Sequence, residues 1–76
     1  MSYKVICTSD NLEINYYYNN LSEALEFLRG FTAALEYLGK NVKKDFSPTT
    51  GDNFRYIITA WVEGQYKGYV FDIIKV

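Results

Sequence analysis

Apolar and polar residues alternate from Tyr3 to Thr8 and again from Leu12 to Tyr18, the period-two pattern of half-buried strands. Between the runs stand Ser9-Asp10-Asn11, and Asp and Asn tolerate the positive φ angles of a tight turn, so this segment predicts a hairpin. With Asp10-Asn11 at the turn centre, Cys7 faces Ile14, Val5 faces Tyr16 and Tyr3 faces Tyr18. Those residues share one face, and Lys4, Ile6, Thr8, Glu13, Asn15 and Tyr17 share the other. Turn and alternation agree, which fixes the register, because a slip of one residue would turn every side chain over.

The period changes after Asn19-Asn20. Leu21, Ala24, Leu25, Leu28, Phe31, Leu35 and Leu38 recur at spacings of three and four, which predicts an amphipathic helix. Asn20 is its expected N-cap, with Glu23 as reciprocal partner in a capping box and Glu26 adding charge suited to the helix dipole. Gly39 offers a left-handed stop, although Val42 and Phe46 continue the apolar spacing and Glu36 and Lys40 stand four apart as a helical ion pair would. Gly30, costly inside a helix, is expected where helix and sheet approach closely.

Lys40 to Asn53 mixes charge with Ser47-Pro48-Thr49-Thr50-Gly51-Asp52 and reads as one long connection. From Phe54 to Val76 two strands flank Gly64-Gln65, a pair suited to a type II′ turn. In that register Ala60 faces Tyr69, Ile58 faces Phe71 and Tyr56 faces Ile73 on the helix side. Trp61 then faces Gly68, Thr59 faces Val70, Ile57 faces Asp72 and Arg55 faces Ile74 on the reverse side.

The expected architecture is a single α+β domain over residues 1–76. Its order is ββαββ: a four-stranded, mainly antiparallel sheet with one long helix packed on one face, the strand order left open. A chain of 76 residues can bury only about 60% of its extended surface, so its stability margin is thin and association with another chain would strengthen it.

Composition removes most catalytic chemistry. The chain has no histidine, which excludes Cys/His zinc sites, Ser-His and Cys-His nucleophile pairs and an imidazole switch. The single cysteine, Cys7, cannot form an internal disulfide; inward-facing, it reads as a small core residue of a protein in a reducing compartment. The carboxylate pairs Glu23/Glu26 and Asp45/Asp52 have no reason to be desolvated, and Gly51, Gly64 and Gly68 match no phosphate-cradling motif. No enzyme, metal, cofactor or small-molecule substrate is expected. Met1-Ser2-Tyr3-Lys4 runs straight into a strand pattern without the shape of a signal peptide, and no apolar run spans a membrane, so a cytoplasmic protein is expected.

One helix covers one side of a sheet, and the other side of an antiparallel sheet is ordinarily polar. Here Ile6, Tyr17, Ile57, Trp61, Val70 and Ile74 fall on that uncovered side, an apolar set of the kind that marks an interface. The bland alternative is that scattered exposed apolar residues are normal and that Trp61 covers Gly68. The expected function is non-catalytic: a small accessory or phage-encoded kind of modulator that self-associates, as a homodimer, or binds a larger protein through this face. A weak single-stranded nucleic-acid platform, with bases stacked on Tyr17 and Trp61 beside Arg55 and Lys4, is the second reading. A net charge of -1 counts against it, and Lys40, Lys43 and Lys44 read as a solvated helix end.

Overall fold

The structure, a computed structural model, describes residues 2–9 and 12–76. Its elements are β1 (Tyr3–Cys7), β2 (Ile14–Tyr18), α1 (Leu21–Leu38), β3 (Gly39–Pro48), β4 (Phe54–Val62) and β5 (Gln65–Lys75). All strands join one antiparallel sheet in the order β2-β1-β5-β4-β3, with the first strand beside the last. The class is α+β, as the pattern predicts, but the sheet has five strands rather than four. The strand order left open by the sequence is settled: the two hairpins meet through β1 and β5, where Val5 faces Ile73 and Cys7 faces Phe71.

The first hairpin has the predicted register, Tyr3 opposite Tyr18, Val5 opposite Tyr16 and Cys7 opposite Ile14. Its expected turn, Asp10-Asn11, lies outside the described residues. Asn20 caps α1 by accepting a hydrogen bond from the Glu23 backbone N–H at 2.9 Å. The helix lays Ala24, Leu28, Thr32 and Leu35 on the sheet, where they meet Val5, Cys7, Ile58, Phe71 and Ile73 in the core. The one buried polar side chain among the described residues, Thr32, donates to the Leu28 carbonyl at 2.8 Å and lies 3.5 Å from the Tyr56 hydroxyl. That local bond satisfies its hydroxyl without a second helix.

Around α1 three expectations are corrected, and the end of the helix, which the spacing leaves open, is settled. The helix does not run past Gly39, and that glycine is not left-handed: its backbone is extended, and the next residues form β3 directly. Glu36 and Lys40 therefore do not share a helical turn. A Cβ on Gly39 would lie 2.6 Å from the Trp61 backbone oxygen, so the close approach belongs here. Gly30 is exposed with nothing within reach of a Cβ, and the expected approach at that position does not occur.

Lys40 to Asn53 is not one long loop. Residues 39–48 are a strand against β4, and only the stretch around Gly51 turns. Asn41 takes a left-handed φ of 54°, and the ladder slips between Lys40 and Lys43, a bulge built on a residue type that tolerates that conformation.

The second hairpin turns one position earlier than expected, at Glu63-Gly64, both with positive φ. That combination is the type I′ turn, whose twist matches the flanking strands. Each pairing moves by two residues: Ile58 faces Tyr69, Tyr56 faces Phe71 and Ala60 faces Lys67. An even shift keeps every side chain on its predicted face.

Candidate protein interface

The face away from α1 is built from the alternate residues of all five strands. On β4 these are Arg55, Ile57, Thr59 and Trp61; on β5, Tyr66, Gly68, Val70, Asp72 and Ile74; on the edge strand β3, Lys40, Lys43, Asp45 and Ser47, opposite Trp61, Thr59, Ile57 and Arg55. On the other hairpin they are Lys4, Ile6, Asn15 and Tyr17. All six predicted interface residues, Ile6, Tyr17, Ile57, Trp61, Val70 and Ile74, therefore stand on one face.

They do not form one uninterrupted patch. Ile57 faces Val70 at the centre. Toward one end Arg55 faces Asp72, with Arg55 Nε donating to Asp72 Oδ1 at 2.9 Å, and Ile6 sits beside that pair on β1. Beyond it lie Ile74 and Tyr17 on either side of Lys4, whose ammonium is 5.5 Å from the centre of the Tyr17 ring. Toward the other end, past Thr59 and Gly68, Trp61 faces Tyr66 with ring centres 5.4 Å apart. The surface is a mosaic of two aromatic ends and an aliphatic centre, divided by an ion pair and by a small-residue row.

The exposures match a surface that can be covered. Tyr17 is 66% exposed and Trp61 45%, whereas Ile6, Ile57 and Ile74 are half-buried by their neighbours. Trp61 does not stand opposite Gly68, the pairing that a Gly64-Gln65 turn predicts. Gly68 faces Thr59, and the partner of Trp61 is Tyr66, a residue the sequence reading missed because its turn was placed one position late. Its parity with Val70 on the same strand was the available signal. Trp61 and Tyr66 also line a shallow depression of about 300 Å³ with Asn41, Val42, Lys43 and Thr59, so the bulge of β3 forms its wall.

The groups whose protonation the structure shifts lie off this face. A hydrogen bond from Lys75 Nζ at 2.8 Å, aided by its charge, holds the Asp52 carboxyl below the usual carboxylate range. The same bond pushes Lys75 up. Burial, with the neighbouring Tyr16 second, raises the Tyr18 hydroxyl. Among the described residues no group of three or more His, Cys, Asp or Glu side chains could hold a metal ion. No helix there is long and apolar enough to cross a membrane. What the face can do chemically is bury aromatic and aliphatic surface against another molecule, with one ion pair to fix orientation. The chain matches no protein-family model, no curated protein and no solved structure.

Proposed function

We propose that this protein is a non-catalytic interaction module that docks a protein, either a larger partner or a second copy of itself, through the uncovered sheet face. The observation that carries the reading is the placement of Ile6, Tyr17, Ile57, Trp61, Val70 and Ile74 on the side that α1 leaves open. A five-stranded face is about 24 Å wide, and its longer strands run for about 30 Å, which gives room for about 600 Å² of contact per side. Trp61 is the natural anchor, a large ring already held against Tyr66 and so costing little to immobilise. A cytoplasmic setting suits an unpaired buried thiol at Cys7.

Nucleic-acid binding has less support. Arg55 is engaged by Asp72, and Lys4 lies over Tyr17, so the cations meant to meet phosphate are already partnered.

The test is Ile57→Lys, a charge placed at the aliphatic centre, beside Tyr37→Lys as a control on the outer side of α1, where Tyr37 is 89% exposed. Both variants should keep the parent's circular dichroism. Ile57→Lys should lose partner capture that Tyr37→Lys retains; equal capture by both would place the interface elsewhere.

A further inference from the structure

The two edges of the sheet are built differently. β3 is an edge strand defended in several ways: Lys40, Lys43 and Lys44 along its length, a bulge at Asn41 and Pro48 at its end. β2, the opposite edge, has the sequence Ile14-Asn15-Tyr16-Tyr17-Tyr18, with no charge, proline, glycine or register break. Its outer backbone groups are a row of donors and acceptors available to another strand.

We propose that β2 pairs antiparallel with β2 of a second copy, joining two five-stranded sheets into one of ten. Full overlap of the five residues requires a two-fold axis at Tyr16. Tyr16 then faces its own counterpart, Ile14 faces Tyr18 of the second copy, and Asn15 faces Tyr17 of the second copy. The strand is complementary to itself: aromatic meets aromatic, a β-branched residue meets an aromatic one, and no like charges oppose. The same self-pairing of β3 would crowd its lysines. Tyr16 is 54% exposed yet already ordered, edge-on to Phe27 at 5.8 Å, while Tyr18 stacks on Phe27 at 6.0 Å. Little side-chain freedom remains to be lost on pairing.

A five-residue strand is about 17 Å long, and with its supporting helix layer the strip buries about 300 to 400 Å² per side, below the standard interface size. The dimer is therefore weak and concentration-dependent. It does not rest on the uncovered face, which it leaves open on both copies and extends across the axis.

Sedimentation equilibrium of the intact chain over a concentration series up to about 1 mM should show the mass rising from one chain toward two. Tyr16→Lys, which sets two ammonium groups against each other at the axis, should hold it at one. Ile57→Lys should dimerise as the parent does. Mild oxidation supplies a second readout. Tyr16→Cys should cross-link, because directly opposed residues lie about 5 Å apart, while Tyr17→Cys should not, because its counterpart is on a diagonal at about 7–8 Å. A parent that stays at one chain throughout, a Tyr16→Lys protein that dimerises as the parent does, or cross-linking of Tyr17→Cys equal to that of Tyr16→Cys would overturn the edge pairing. If Ile57→Lys alone removes the dimer, the second copy sits on the face: the edge inference fails and the face reading stands.

Discussion

Arg55 and Asp72 face each other across β4 and β5, Nε to Oδ1 at 2.9 Å, in the row that separates Val70 from Ile74 on the uncovered face. Both side chains are roughly half exposed, so water screens the pair and its contribution to stability is small. Its position matters more than its strength, because a covering partner must either match that pair or desolvate it. Asp72→Asn should change unfolding free energy by less than about 1 kcal/mol in urea titration. A loss of several kcal/mol would make the pair a determinant of the fold rather than of the surface.

The two helix-associated glycines should respond in opposite directions. Gly30→Ala removes backbone freedom at an exposed helical site with open space around it and should stabilise by about 1 kcal/mol. Gly39→Ala forces a methyl against the Trp61 carbonyl, the Leu35 carbonyl and Val62, and should destabilise by about 1–3 kcal/mol. Chemical denaturation of both variants checks the signs.

Cys7 is 1% exposed beneath α1. Its thiol should resist labelling in the native protein and react fully once denaturant is added. Rapid native labelling would mean that the first hairpin turns its other face to the helix.

The Asp52–Lys75 pair predicts a stability plateau bounded at both ends of the pH scale. Asp52 is lowered in the folded state, so its contribution is present above the ordinary carboxylate pKa, about 4, and is lost as pH falls through its lower folded value. Lys75 is raised, so its contribution is present below the ordinary lysine pKa, about 10.4, and is lost as pH rises through its folded value. The stability difference between parent and Asp52→Asn should be small, constant between about pH 5 and 10, and shrink on either side. A difference that stays unchanged below about pH 5 and above about pH 10 as well would show that the pair does not form in solution.

The first hairpin and the helix start were legible because independent signals agreed: alternation with a turn dipeptide, and Asn20 with the onset of a spacing of three and four. β3 was not. Val42 and Phe46 lie four apart, and a separation of four places two residues on one side of a helix and also on one side of a strand, so the spacing could not distinguish them. The lysines that defend β3 as an edge also removed the apolar alternation by which strands are read. At the second hairpin Gly64 was the true marker, but Gly64-Gln65 and Glu63-Gly64 both make acceptable turns, and only the fold chose between them. Because the two choices differ by an even register, the uncovered face survived the error while its cross-strand partners changed. Tyr66 entered and Gly68 left as the neighbour of Trp61.

The docking face itself is tested most directly by oxidative footprinting of the aromatic side chains in the isolated protein and in its complex with a captured protein partner, at concentrations too low for the β2-edge dimer. Trp61 and Tyr66 on the uncovered face and Tyr37 on the outer side of α1 are all exposed in the single chain and should all be labelled. In the complex, Trp61 and Tyr66 should lose most of their labelling while Tyr37 keeps its own. Full labelling of Trp61 and Tyr66 with protection of Tyr37 would contradict the account and move the interface to the helix.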